Sequence, residues 1–383
     1  MAGDRLKIME KTAAGAAGLY IHVPFCRGKC PYCDFASGTD LDLIPDWLMA
    51  LDREMEMYRD FAPRFDSLYF GGGTPSLLAP VQLAGLLERL KDLFKFAADM
   101  EITLEANPDD LTPQVLNRYR ELGINRLSLG VQSFADRELN FLGRRHDASQ
   151  ALRALGWSRE AGFDNLGLDL MYGLPGQTLE AWQKNLELAL SFRPEHLSCY
   201  QLTVEEGTPL ARRQAEGLFQ ALSEEMERTF FLFTSRFLEE HGYSHYEISN
   251  FARGAAKKSR HNRKYWDHTP YLGLGPAAHS YREGRRWWNH GSLEEYCRAL
   301  NAGNAPMAGQ EVLSGEEQRL EALYLGLRTR DGISLDLVQN GAHPEAGLRE
   351  ALQAGWGEIR EGRFVLTREG MVLADRLAVK LMA

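Results

Sequence analysis

Between residues 19 and 203 the apolar positions alternate between two rhythms. Short runs rich in Leu, Ile and Val predict strands at "LYIHV" (19–23), "SLYFG" (67–71), "EITLEA" (101–106), "INRLSLGV" (124–131), "NLGLDLMYG" (165–173) and "HLSCYQLT" (196–203). Longer stretches with a 3.6-residue apolar period predict helices at 45–61, 81–94, 112–123 and 179–192. Pro45 and Pro113 stand where a helix would begin, and Gly123 and Gly162 where one would end. Strands that alternate with helices pair in parallel through right-handed crossovers. The strands are also too uniformly apolar for a sheet with one wet face. The pattern therefore predicts an α/β fold in which a partial (β/α)6 barrel of the TIM type occupies residues 19–205.

Past residue 205 the rhythm changes. A helical stretch at 223–242 is followed by "YSHYEISNFARG…HNRKYWDHTPYLGLGPAAHSY", rich in aromatics and glycine and without a regular period. The last 80 or so residues return to amphipathic helices around the short strand "RFVL", a pattern like a winged helix. These shifts divide the chain into an N-terminal extension (1–18), the barrel (19–205), an accessory region (206–300) and a mostly helical C-terminal region (301–383).

Composition narrows the class. At 383 residues the chain can bury roughly three quarters of its unfolded surface. Apolar content of 44% and charged content of 25% are ordinary for a globular protein. A net charge of −9 argues against nucleic acid as the main partner, although "RGAAKKSRHNRK" (253–264) is locally basic. No apolar run approaches the ~20 residues of a bilayer span. The stretch "TAAGAAGLYIHV" after Lys7 and Lys11 is too weakly apolar for a signal peptide. No stable membrane insertion is expected, and the location expected is the cytoplasm.

The cysteines sharpen the picture. Cys26, Cys30 and Cys33, spaced CxxxCxxC directly after the first predicted strand, are three of only five in the chain. Soft thiolates from one short loop suit an iron–sulfur cluster or zinc. A structural zinc site would want a fourth Cys or His nearby, and Cys199 and Cys297 stand alone as small core residues. Three protein ligands leave one iron of a [4Fe–4S] cluster open to a cofactor. In a barrel of this type the loops after the strands build the site. Those loops here hold Gly71-Gly72-Gly73-Thr74, Glu105-Ala106-Asn107, Gln132, Asp169 and Gly173.

CxxxCxxC after the first strand and GGGTP after the second resemble the radical S-adenosylmethionine enzymes. Within them "YIHVPFCRGKCPYCDF" (20–35) resembles the oxygen-independent coproporphyrinogen III oxidase-like group, and the resemblance spans essentially the whole chain. It implies Cys26, Cys30 and Cys33 as cluster ligands, with S-adenosylmethionine chelating the open iron. It also implies Tyr20, Gly72, Gly73, Thr74, Glu105, Gln132, Arg144 and Asp169 as contacts of S-adenosylmethionine, with His22 near the cofactor. Coproporphyrinogen oxidases of this group carry a further Cys two positions after the third ligand, and a longer N-terminal extension. Here Phe35 holds that position, and 25 residues precede Cys26. Both departures point to the haem-chaperone branch of the group, as does "HNRKYW" (261–266), which fits its HNxxYW motif.

The expectation is a haem-binding chaperone with a [4Fe–4S] cluster and S-adenosylmethionine, served by an electron donor and by haem-acceptor proteins. A radical enzyme decarboxylating coproporphyrinogen is the alternative. His261, flanked by aromatics, is either an axial haem ligand or a residue that holds its loop together.

Overall fold

The computed structural model of the chain describes residues 16–338 and 344–382. Lys7, Lys11 and most of the N-terminal extension expected over 1–18 lie outside the described residues.

The six predicted strands are present as β1 (Ala17–Val23), β2 (Phe65–Gly72), β3 (Phe96–Ala106), β4 (Arg126–Gln132), β5 (Leu166–Tyr172) and β6 (His196–Gln201). Each pairs in parallel with the next. The helices between them are α1 (Ile44–Met57), α2 (Pro80–Leu93), α3 (Pro113–Glu121), α4 (Asp136–Phe141), α5 (Ala148–Glu160) and α6 (Leu179–Ser191). Local chemistry sets their ends. Pro45 lies in the first turn of α1, Thr112 caps α3 by accepting from Val115 N at 3.2 Å, and Asp147 with Gln150 forms a capping box on α5. Gly123 and Gly162, past the ends of α3 and α5, take φ of 91° and 83°, which glycine adopts without a Cβ penalty.

The inner faces of strands and helices share one apolar core. Trp47 on α1 is fully buried and meets Phe25 edge-on, with ring centroids 5.7 Å apart. That contact clamps the segment leading into the cysteine loop against the first helix.

The segment without periodicity is not loop. It supplies β7 (Ser244–Glu247), β8 (Asn250–Ala252), β9 (Tyr271–Leu274), β10 (His279–Arg282) and β11 (Arg285–Asn289). These follow α7 (Pro209–Ala215) and α8 (Glu224–Glu240), and α9 (Arg260–Trp266) lies among them. After α10 (Leu293–Asn301), β12 (Met307–Val312) pairs with β11. The resulting twelve-stranded sheet runs β12-β11-β10-β9-β1-β2-β3-β4-β5-β6-β8-β7. Strands of three to six residues are too short to establish a period of two against so many glycines, so their pairing is set by neighbours distant in sequence. The expectation that a separate C-terminal region begins at 301 differs from this arrangement, since 307–312 still extends the large sheet.

The remaining C-terminal elements are α11 (Gly315–Leu327), β13 (Ile333–Ser334), α12 (Leu335–Val338), α13 (Pro344–Gln353), β14 (Gly357–Arg360), β15 (Arg363–Leu366), α14 (Arg368–Met371) and α15 (Ala374–Met382). They form a smaller, mostly helical unit around the three-stranded sheet β13-β15-β14, with its own apolar core that includes Leu323, Leu327, Phe364 and Leu377. Helix α11 touches both flanks of the open barrel. Glu321 meets Arg286 of β11 at 2.5 Å, while Thr329, just past the helix, bridges to Glu247 of β7.

Candidate functional site

Residues 24–38 form a loop at the carboxyl end of β1, closed at its neck by backbone bonds from Gly38 N to Pro24 O (2.8 Å) and from Cys26 N to Gly38 O (2.9 Å). Cys26, Cys30 and Cys33 are free thiols of intermediate exposure. A small apolar cluster of Leu142, Met171, Leu174, Leu202 and Leu210 packs Tyr32 beneath the loop, and Leu210 N donates to Pro31 O at 2.8 Å. Among the described residues no three His, Cys, Asp or Glu side chains converge on a single metal ion. A cubane asks for something different, since each of its irons takes one thiolate.

A ring of side chains joins two of these thiols. Thr74 Oγ1 donates to Cys26 Sγ at 3.4 Å, and Asn107 Nδ2 donates to Thr74 Oγ1 at 3.3 Å. Asn107 Oδ1 accepts from Arg144 Nη2, which also donates to Gly130 O at 2.8 Å, and Arg144 Nη1 reaches Cys30 Sγ at 3.6 Å. A hydroxyl and a guanidinium donor are thus aimed at two of the three sulfurs. Asn107 was not among the expected contacts, although it stands at the end of β3 two residues past Glu105. Its position there was the available signal, and its role depends on partners 33 and 37 residues away.

The glycines of 71–73 are cradles that a Cβ would fill. At Gly72, φ is 104° and a Cβ would lie 2.7 Å from the His22 ring. At Gly73 it would lie 2.5 Å from the Phe25 carbonyl oxygen. At Gly71 it would crowd Tyr20, Tyr69 and Glu105 Oε1 at 3.0–3.2 Å. His22, expected near the cofactor, is buried behind Gly72 with Nε2 2.8 Å from Ala36 O, and its Nδ1 meets Tyr20 OH at 3.1 Å.

Glu105 and Asp169 point into the barrel. Burial pushes Glu105 up to about 7, although Tyr69 OH donates to it at 2.7 Å. Burial also raises Asp169, which accepts from Ser128 Oγ at 3.2 Å. A cation brought beside these carboxylates favours their ionised forms. Gln132 is held at φ 65°, an uncommon conformation for a residue with a Cβ, and its Oε1 is buried without a hydrogen-bond partner. Arg144 Nε is orphaned in the same way.

The structure thus brings Gly72, Gly73, Thr74, Glu105 and Arg144 together with the cysteine loop, while Gln132 ends β4 beside them and Asp169 lies mid-way along β5, facing the barrel interior. Their donors and orphaned acceptors fit a polar, zwitterionic cofactor against a thiolate-bound cluster.

His261 is placed elsewhere. Helix α9 plugs the barrel at the amino ends of β1 and β2, where Lys264 Nζ bonds Ala16 O and Asp66 Oδ1, each at 2.8 Å. His261 is 1% exposed, stacks on Tyr20, and has both ring nitrogens engaged: Nδ1 with Ser67 Oγ (3.1 Å) and Nε2 with Tyr265 OH (2.8 Å). Burial lowers its pKa to about 3, which keeps the ring neutral. Of the two roles open to His261, these contacts match the one in which it holds its segment together. No nitrogen of His261 is free for iron, because the helix that carries it is part of the barrel floor. Part of the basic segment 253–264 is absorbed as well, with Arg260 on Asp99 and Lys264 on Asp66.

A parallel (β/α)6 partial barrel with a three-cysteine loop at the carboxyl end of its first strand defines a radical S-adenosylmethionine protein. The Radical SAM superfamily signature matches residues 20–189, and the HemN C-terminal domain signature matches 313–373. The chain belongs to the HemW family. It is 37% identical over 371 residues to "Heme chaperone HemW" of Mycobacterium tuberculosis, covering 95% of this chain and 94% of the relative. It is 35% identical over 369 residues to the Bacillus subtilis protein of the same name, covering 94% and 97%. With the mitochondrial "Radical S-adenosyl methionine domain-containing protein 1" of Mus musculus it shares 39% identity over 378 residues, covering 95% and 84%. The fold is that of the Escherichia coli radical SAM enzyme coproporphyrinogen III oxidase (HemN), with a TM-score of 0.84 at 24% identity over 100% of this chain and 94% of that one. The cofactors of the family are a [4Fe–4S] cluster and S-adenosylmethionine. When bound, they supply one-electron reductive cleavage of the sulfonium.

Proposed function

We propose that this protein is a haem chaperone: it binds haem and passes it to acceptor proteins while holding a [4Fe–4S] cluster and S-adenosylmethionine. The similarity to HemW proteins along 95% of the chain supports this reading most strongly. Phe35 supports it too, since it stands where the decarboxylating relatives carry a further cysteine and is 63% exposed beside the cluster loop.

In this reading Cys26, Cys30 and Cys33 hold three irons, and Arg144 and Thr74 donate to the Cys30 and Cys26 sulfurs. The backbone of Gly72 and Gly73 lies open to the methionyl group, with Tyr20 and Thr74 beside it. Gln132 Oε1 and Arg144 offer the acceptor and donor that an amino group and a carboxylate need, and Glu105 and Asp169 take up ribose hydroxyls or face the sulfonium. The apolar packing of Tyr32 and Leu210 under the loop excludes water from that side. Among the described residues no helix is long and apolar enough to cross a membrane. We place the protein in the cytoplasm, where the cysteine loop stays reduced, with an electron donor that serves the cluster.

Anaerobic reconstitution followed by parallel assays tests the function. Stoichiometric haem binding and transfer to an apo-acceptor, without coproporphyrinogen turnover, is the expected outcome. Sustained conversion of coproporphyrinogen III to protoporphyrinogen IX would overturn it.

A further inference from the structure

Glu105 of β3, Ser128 of β4, Gly167 of β5 and His196 of β6 stand side by side in the register of the sheet. Side chains two positions apart on a strand share a face. Arg126 therefore lies one layer nearer the amino ends than Ser128, and Asp169 one layer nearer the carboxyl ends than Gly167. Between these layers the barrel holds a cavity of about 30 Å³, and every residue that lines it has a polar side chain. Arg126, Asp169 and His196 are among them, with Ser259 and Asn262 from the start of α9. One water takes roughly 10–15 Å³ on this scale, so the space suits about two. We propose that the cavity holds ordered water that carries hydrogen bonds from His196 Nδ1 and the Arg126 guanidinium to Asp169, and that His196 and Arg126 thereby position a charged Asp169 for S-adenosylmethionine. The proposal rests on the reading of Asp169 as a contact of that cofactor.

Gly167 makes the room. A glycine inside a strand weakens it and marks a place where another group comes close. A β-carbon here would lie 3.4 Å from Ser128 Oγ and 3.6 Å from His196 Nδ1, filling the gap between them, and would be tight only against Leu127 O at 3.3 Å.

The donors around this gap are without protein partners. His196 is 2% exposed, and its Nδ1 has no hydrogen-bond partner among the described residues. Its Nε2 lies 2.8 Å from Tyr246 OH, which accepts from Ser259 N at 3.4 Å. The Tyr246 hydroxyl has no other acceptor among the described residues, so its hydrogen goes to Nε2. Burial and the nearby Arg126 both keep the ring neutral, which leaves the ring's own proton on Nδ1. Nδ1 is thus a donor on the cavity side. Arg126 uses Nη1 for Asn165 Oδ1 (3.0 Å) and Lys257 O (3.1 Å), while its Nε and Nη2 make no hydrogen bond to the described residues. Buried donors are nearly always paired, with protein or with ordered water.

The acceptor is Asp169, whose two oxygens each lie 3.2 Å from Ser128 Oγ. Burial favours its neutral form, and Ser198, Ser128, Arg126 and Arg144 draw it back toward the charged one. Glu105, Tyr69, Tyr200 and Cys199 face it as well, and burial raises the pKa of each, which favours their uncharged forms. A water that accepts from Nδ1 or Arg126 and donates to Asp169 extends the same support to where no side chain reaches. A charged carboxylate accepts from a ribose hydroxyl more strongly than a protonated one does.

The test uses the full-length chain with its reconstituted cluster and measures S-adenosylmethionine affinity by equilibrium dialysis. In His196→Asn the amide stands in the place of Nδ1 and still donates to the cavity, but the bond to Tyr246 is lost. In His196→Gln the amide reaches Tyr246 and the cavity donor is lost. Affinity should stay within about threefold of wild type in His196→Asn and fall roughly tenfold in His196→Gln, the scale of one hydrogen bond to a charged group. Gly167→Ala, which fills the gap with a methyl group, should also lower affinity about tenfold. Equal affinities in the two histidine variants, or the larger loss in His196→Asn, would show that the ring serves only to hold Tyr246 and would overturn the proposal. If either histidine variant fails to fold, Gly167→Ala decides, and wild-type affinity there overturns it. A crystal structure of the wild-type protein should show water within hydrogen-bond distance of both His196 Nδ1 and Asp169, and a cavity without ordered density would refute the water site. Failure of the wild-type protein to bind S-adenosylmethionine would instead remove the cofactor reading of Asp169 and the positioning role with it, while the crystal structure would still decide the water site.

Discussion

Gly73 packs directly onto the backbone of Phe25, so that a β-carbon would come within 2.5 Å of the Phe25 carbonyl oxygen and 2.9 Å of its nitrogen. Two motifs 48 residues apart thereby share one surface: the glycine loop after β2 and the entry to the cysteine loop after β1. Backbone cannot yield to such a clash as a flexible side chain would. Gly73→Ala is expected to displace the cysteine loop and sharply lower iron and sulfide per chain after reconstitution. Gly28→Ala is the control, because its β-carbon would meet only Arg145 Cδ at 4.0 Å. Equal iron content in the two variants would show that the packing does not position the cluster.

Cys30→Ser removes a cluster ligand and should leave little of the charge-transfer absorbance. Asn107→Ala leaves all three thiols but cuts the link between Thr74 and Arg144. Cluster content should therefore hold while affinity for S-adenosylmethionine falls roughly tenfold, the scale of one lost hydrogen bond to a charged group. Equilibrium dialysis on the reconstituted protein measures it.

His261→Ala deletes a buried ring with two hydrogen bonds and leaves Ser67 and Tyr265 without their partner. The expected cost is about 2–4 kcal/mol of stability, combining unsatisfied polar groups with a cavity under Tyr20. Denaturant unfolding reads that cost. In the fraction that folds, the Soret position of bound haem should match wild type. A loss of the imidazole-ligated spectrum would return the ligand role to His261.

Glu54 on α1 is fully buried and accepts from Gly275 N (2.8 Å), Tyr296 OH (2.6 Å) and Asn289 Nδ2 (2.5 Å). It thereby ties α1 to β11, α10 and the turn after β9. Burial raises its pKa to about 7 from 4.5. The folded state therefore holds a proton that the unfolded state releases between those two values, so its contribution to stability declines as pH rises from about 4.5 to about 7 and is level above that. Glu105 and Glu247, raised to about 7 by burial, act in the same direction. Buried histidines held neutral, among them His261, His245 and His146, act in the opposite sense below about 6.5, so the Glu54 contribution is read as a difference: the unfolding free energy of the cluster-free protein relative to that of Glu54→Gln should fall as pH rises across this window. An identical slope in the variant would mean that Glu54 titrates normally.

Much of this protein was decided locally. Six uniformly apolar runs separated by amphipathic helices leave parallel pairing as the economical way to bury both faces, and the chain forms that array from β1 to β6. Cys26, Cys30 and Cys33 fall in one loop because their spacing is short, and residues 72–74, 105 and 132 share one rim because a parallel array gathers the carboxyl ends of its strands, whereas Asp169 lies mid-way along β5 and faces the barrel interior.

What the tertiary structure alone decided concerns contacts between distant residues. Four of the five strands in the segment 244–289 have only three or four residues and no period of their own; neighbours far away in sequence place them, β7 and β8 beyond β6 and β9 to β11 beyond β1. Asn107 gains its role only when folding sets it between Thr74 and Arg144. His261 and His268 look alike in the sequence, each a histidine among aromatics. Folding separates them: a helix that must plug the barrel uses up both nitrogens of the first, and the turn after it holds the second on the wall of a cleft.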